Sequence, residues 1–265
     1  DNGMTVSMSF ELDDADTAHS YDSHSVTIAS DTMGTLVFSG NGGSSAVSAI
    51  DATAAGDIFD NFDGQTLNAA AVAETATAAG NAAMLTSPGG GDSFYYTLPN
   101  MVEGLSVSAS YNPQGATGFS SSAFGATYTG VEGLSVSYGV GDNDREAGAT
   151  YDADVTTMKA SYAYGPVTLA YSNHEYDSAT ATRDQDTTSY SVAYTVTDAI
   201  SVSYGEETID SGEQTVDAEY SQLSVSYTSG GMTITAKQQE AENISYTTGS
   251  TEDQDYWGLT LAFAF

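Results

Sequence analysis

Tyr256-Trp257-Gly258-Leu259-Thr260-Leu261-Ala262-Phe263-Ala264-Phe265 closes the chain and decides how the rest is read. Trp257, Leu259, Leu261, Phe263 and Phe265 fall at every second position, with Gly258, Thr260, Ala262 and Ala264 between them. A period of two is that of a β-strand carrying one apolar and one small or polar face. The last residues of a soluble domain usually fray and turn polar. Here an aromatic face runs to the final residue, so it needs an apolar partner outside the strand, either a protein core or a bilayer.

The same rhythm recurs along the chain. Met4, Val6, Met8, Phe10 and Leu12 alternate with Thr5, Ser7, Ser9 and Glu11, and Leu134, Val136, Tyr138 and Val140 alternate with small residues. Tyr190, Val192, Tyr194 and Val196 do the same, as do Leu223, Val225 and Tyr227. Roughly fourteen such segments occur, most near the 9–11 residues that a tilted strand needs to cross a bilayer. Their connectors alternate too. Short turns lie at Ser30-Asp31-Thr32, 99–104, 130–133, Gly165-Pro166, Thr197-Asp198-Ala199 and Ser229-Gly230-Gly231. Long acidic loops lie at 13–24, 42–91, 112–120, 142–153, 177–186, 208–217 and 241–254. Short turns on one rim and long loops on the other describe an all-β, transmembrane, antiparallel up-and-down barrel of an outer membrane. A soluble sandwich, the competing architecture, gives no reason for this parity, because both its ends carry mixed connections.

Composition narrows the function. Thirty-six acidic residues stand against four basic ones, Arg145, Lys159, Arg183 and Lys237, for a formal net charge of −32 over 265 residues. This balance excludes nucleic acid as a partner, since such affinity rests on Lys and Arg meeting phosphates, and it attracts cations. Eighteen Tyr and nine Phe argue against disorder. Cysteine is absent, which removes disulfides and thiolate metal sites. No run of 18 apolar residues suggests a transmembrane helix. The opening Asp1-Asn2-Gly3 has no basic n-region and reads as a processed or truncated chain.

Strand parity assigns the wall. With Tyr162 and Tyr164 toward lipid, Lys159 faces the lumen, and Lys237, Glu11 and His174 follow by the same alternation. Segment 42–91, about 50 residues, is too long to be a passive connection. It carries Asp51, Asp57, Asp60, Asp63 and Glu74 with no Lys or Arg, and an Ala-rich middle, Leu67 to Leu85, that favours a short helix broken at Gly80. Folded inward, it makes Asp51, Asp57, Asp60, Asp63, Glu74, Lys159, Lys237 and Glu11 the expected pore constriction; a surface lid is the other reading. Asp142, Asp144 and Glu146 space oxygen ligands as weak calcium sites do, without the ligand count of a dedicated one, and no cofactor is required. Neither a Gly-x-Ser-x-Gly elbow nor a His-Glu-x-x-His motif is present, so no catalytic residues are assigned and an enzyme is not expected.

The closing segment 256–265, the opening Asp1-Asn2-Gly3-Met4-Thr5-Val6-Ser7-Met8-Ser9-Phe10-Glu11-Leu12, and the hairpin near Val26 to Gly40 followed at once by the longest loop together resemble the Gram-negative outer-membrane porins, in particular the trimeric alphaproteobacterial general-diffusion type. The resemblance implies a homotrimer in outer-membrane lipid, a long third loop narrowing the lumen, and passive diffusion of small hydrophilic solutes and ions. It also implies one domain over 1–265 that starts a hairpin late, its roughly fourteen strands plus two making about sixteen, against a complete fourteen-strand barrel. Such porins usually set an arginine cluster against the acidic loop. Only Lys159 and Lys237 stand in for it, and cation preference is expected. The alternative class is an acidic, calcium-organised surface structural or adhesive β-protein.

Overall fold

A computed structural model describes residues 3–11, 23–41, 43–62, 82, 84–85, 91–113, 120–143, 153–178, 184–212, 214–244, 246, 248 and 253–264. Among the described residues fourteen strands occur: β1 (Met4–Phe10), β2 (His24–Ser30), β3 (Gly34–Asn41), β4 (Ser93–Thr97), β5 (Leu105–Asn112), β6 (Ser121–Tyr128) and β7 (Leu134–Asn143). They continue as β8 (Ala153–Tyr164), β9 (Val167–Ser178), β10 (Gln185–Thr197), β11 (Ile200–Ser211), β12 (Ala218–Ser229), β13 (Met232–Glu242) and β14 (Gln254–Phe263). The sheet runs in sequence order from β1 to β14, the up-and-down topology expected from the connectors. Among the described residues of the long loop, Ile58–Phe62 form a short 3₁₀ helix. The Ala-rich stretch expected to be helical falls outside the described residues except for Ala82, Met84 and Leu85.

The chain divides into two packing units. The first holds 1–51, 86–158 and 177–179, and the second holds 52–85, 159–176 and 180–265. In the first, β1 to β6 are only 5–8 residues long, shorter than the spacing of turns suggested. In the second, β11 runs to Ser211 and β13 to Glu242, into the segments 208–217 and 241–254 that the acidic residues mark as loops. The reason lies in alternation. Thr208 and Asp210 point to one face while Ile209 and Ser211 are buried on the other, so the ladder continues past the last lipid-compatible residue.

The two faces differ as membrane strands must. On β14 Trp257, Leu259, Leu261 and Phe263 are 75%, 59%, 50% and 57% exposed, a face that is stable only against hydrocarbon. Tyr204, Leu223, Gln238 and Trp257 stand directly opposite one another across β11 to β14, and the next outward-facing row is Glu206, Ser221, Glu240 and Asp255. Carboxylates are costly in hydrocarbon. The aromatic row therefore marks the upper edge of the lipid band, and Phe263, opposite Met232 near the short turn Gly230-Gly231, lies toward the lower one. Tyr162 and Tyr164 stack at that lower edge with centroids 6.4 Å apart. Phe265 lies outside the described residues. The opposite face, built from Ser, Thr, Gly, Ala and Gln, is the inner face on which the long loop rests.

Candidate functional site

The long loop is stitched to the inner face by wall side chains. In the first unit, Ser45 to Ile50 form a compact turn, with Ala49 N–H donating to Ser45 O at 3.1 Å and Ile50 N–H to Val47 O at 2.8 Å. Ala46 N–H donates to Ser110 Oγ of β5 at 2.9 Å. Gly125 of β6 makes this approach possible, since a Cβ there would lie 2.5 Å from Ala46 O.

In the second unit, one inner row runs Ser172, Ser189, Glu207, Tyr220 and Ala241 across β9 to β13. The outgoing limb of the loop lies along it. Ala54 N–H donates to Ser172 Oγ at 2.8 Å, Ala55 N–H to Ser189 Oγ at 3.0 Å, and Ser191 Oγ donates back to Ala54 O at 2.8 Å. Glu207, 1% exposed, is the hub. Its carboxyl accepts from Thr53 Oγ1 and, at 3.2 Å, from Phe59 N–H at the start of the 3₁₀ helix. Thr53 Oγ1 also accepts from Gly56 N–H and Asp57 N–H at 3.0 and 2.7 Å. Glu207 thus binds both ends of the turn from Thr53 to Phe59.

The returning limb is held higher on the wall. Leu85 N–H donates to Gln185 Oε1 at 2.7 Å. His174 Nε2 lies 3.1 Å from Leu85 O; a carbonyl only accepts, so this nitrogen carries the proton. Behind the limbs sits a buried cluster of Ile58, Phe59, Phe62, Ala82, Ile209, Ala218, Tyr220, Ala241, Ile244 and Tyr246. Phe62 packs on Tyr220 with centroids 5.6 Å apart.

The sequence-assigned constriction residues fall into several places. Asp57 (φ 55°) is part of the turn itself, its Oδ1 accepting from Thr53 N–H at 2.9 Å. Asp60 is exposed and Asp51 half-buried on the same loop. Asp63 and Glu74 lie outside the described residues. Lys159 faces inward, and its Nζ donates to Ala52 O at 2.7 Å and Thr53 O at 3.1 Å, making it a clamp on the loop. Lys237 also faces inward, opposite Ser224 and Gly258. It lies four residues from Ala241 along β13, about 13 Å toward the short turns from the Glu207 row. Glu11 pairs with Ser23, through its backbone N–H to Ser23 O at 2.8 Å and through Ser23 Oγ to Glu11 Oε2 at 3.4 Å. Asp142 accepts from Ser122 Oγ at 2.5 Å. Asp144 and Glu146 lie outside the described residues, among which no group of three or more His, Cys, Asp or Glu side chains is placed to hold a metal.

Glu207, Tyr220 and the serine row were missed as functional residues. A signal existed: Glu206-Glu207 is a pair of adjacent acids, and alternation forces one of them inward among small residues.

Two expected outcomes follow from the stitching. Lys159→Met should raise open-channel noise, because it removes about 1 kcal/mol or more of loop attachment, with only a small shift of the reversal potential toward cations from the loss of one positive charge. A large shift in selectivity would show that Lys159 acts electrostatically. Gly205→Val should push the loop off the wall, since a Cβ there would meet Ala55 Cβ at 2.7 Å. The cost is about 1–3 kcal/mol, visible as a lower unfolding temperature in detergent and an altered conductance.

Outward apolar strands, an inner face of small polar residues and a loop bound to that face define a channel-forming outer-membrane barrel. The chain belongs to the Gram-negative porin family, whose model matches residues 1–236. Salmonella typhi OmpF, solved in complex with daunomycin, is similar in fold at a TM-score of 0.65 and 15% identity, over 99% of this chain and 86% of that one. A mutant of Rh. blastica porin matches at 0.59 and 13%, over 100% and 86%. OmpT of Vibrio cholerae matches at 0.57 and 16%, over 98% and 95%. No curated protein matches the chain at the level of sequence. The protein is thus an outer-membrane diffusion porin and not an enzyme.

Proposed function

We propose that this porin passes small hydrophilic solutes by passive diffusion with a preference for cations, and that the loop bound along the Ser172–Ser189–Glu207 row is its constriction. One observation carries the reading: the acidic limb lies on the polar face with Asp60 exposed, while Lys159 is engaged on loop carbonyls. Carboxylates lining a narrow passage concentrate cations and repel anions. Among the described residues, the bases on this wall are Lys159, engaged on the loop carbonyls, and Lys237. Crowded acids near the loop rim add to the field. Burial and the neighbouring Asp210 charge raise the Asp217 carboxyl above its ordinary range, and calcium would act there as a shared counter-ion.

A homotrimer in outer-membrane lipid is the assembly we assign, in keeping with a solved trimer form of Vibrio cholerae OmpT. The test is electrical. Purified protein in a planar bilayer under a KCl gradient should show stepwise conductance with a reversal potential of cation sign. A reversal potential of anion sign would overturn the selectivity.

A further inference from the structure

Beyond β13 the chain turns back over the inner face instead of leaving it. Asn243 and Tyr246 both adopt left-handed backbone conformations, with φ of 53° and 56°. Asparagine tolerates this region; for a bulky aromatic it is a strained outlier. The strain is offset by what the turn achieves. Tyr246 becomes 2% exposed and Ile244 fully buried inside the apolar cluster. The Tyr246 hydroxyl accepts from Gln185 Nε2 at 3.3 Å, and the same amide takes Leu85 N–H on its oxygen, so Gln185 joins this segment to the returning limb of the long loop.

Ala82 joins them a second time. Its N–H donates to Ile244 O at 2.7 Å, and its carbonyl accepts from Tyr220 Oη at 2.6 Å. The backbone of one loop residue is therefore bonded on one side to the segment after β13 and on the other to the wall. Met84 packs against the same cluster.

We propose that Ile244 and Tyr246 are positioning residues of the pore. They hold the returning limb against β10 to β12, so that the aperture is set jointly by two loops. The inference rests on the reading of the long loop as the constriction.

The full chain carries no native cysteine, so Ala82→Cys with Ile244→Cys introduces only two thiols and gives a test within one folded protein. Reduced, the pair should conduct more than the unmodified channel, by about half again, and admit larger sugars in liposome swelling, because the cluster is loosened. Oxidised, with the cross-link confirmed by gel mobility, it should return to the unmodified values. Tyr246→Ala should reproduce the reduced state permanently, and Tyr246→Phe, which keeps the ring, should restore most of the original conductance. Equal conductance in the reduced and oxidised states would overturn the proposal, and so would failure of the thiols to cross-link. Glu207→Leu separates the two levels. If it alters conductance while Tyr246→Ala and the cross-link in the double variant do not, the second loop is not a positioning element. If none of them has an effect, the constriction reading itself fails.

Discussion

Glu207→Leu should widen the passage. The substitution removes the carboxyl that accepts from Thr53 Oγ1 and from Phe59 N–H in a site that is 1% exposed. Each such buried bond lost costs about 1–3 kcal/mol, so the docked loop loses about 3 kcal/mol, or about two decades in its docking equilibrium. The strands have their own ladders and lipid-facing band, so the barrel should still fold and show its usual heat-dependent gel mobility. Single-channel conductance should rise, open-channel noise should increase, and oligosaccharides excluded by the unmodified channel should enter liposomes. Glu207→Gln keeps one acceptor oxygen and should give a smaller effect in the same direction. Unchanged conductance and an unchanged sugar cut-off in the leucine variant would show that the loop does not limit the pore.

Asparagine at Asp51, Asp57, Asp60 and Asp63 together should do the opposite, changing charge and sparing geometry. Asp57 accepts Thr53 N–H through Oδ1 and sits at φ 55°. Asparagine offers the same acceptor and tolerates the same backbone conformation, so the turn should survive. Cation over anion permeability should fall about twofold or more, while conductance in molar salt, where fixed charge is screened within about 3 Å, should barely move. A preserved permeability ratio would move the source of selectivity away from this limb. The two variants thus separate width from charge.

The sheet was legible because its signal is repeated. Each strand restates the alternation of a lipid face and a small-residue face, and each connector restates the short-turn, long-loop parity. A local ambiguity such as Thr208 to Ser211, where acids suggest loop and the structure continues as strand, leaves the topology unaffected. The site was only partly legible. Parity alone put Lys159, Lys237, Glu11 and His174 on one face; of these, Lys159 bonds to the Ala52 and Thr53 carbonyls and His174 to the Leu85 carbonyl. Periodicity gave no hint that the Lys159 ammonium would engage two carbonyls or that Glu207 would organise a turn 148 residues away in sequence from its Phe59 contact. Those roles arise from where an irregular segment comes to rest on a regular wall. The same is true of Tyr246, whose burial depends on a backbone turn that no alternation pattern encodes.

Among the described residues, most bonds from the wall to the loop end on its main chain: the carbonyls of Ala52, Thr53, Ala54, Ala82 and Leu85, and the amides of Ala46, Ala54, Ala55, Phe59 and Leu85. Among the described residues the wall reads mainly peptide groups, which every loop sequence supplies, and takes a hydroxyl from Thr53. The loop can therefore be rewritten at its solvent-facing side chains without being unfastened. Such a scaffold behaves as a frame with an interchangeable filter, in which a new solute preference can be written into the loop while the wall that carries it stays as it is.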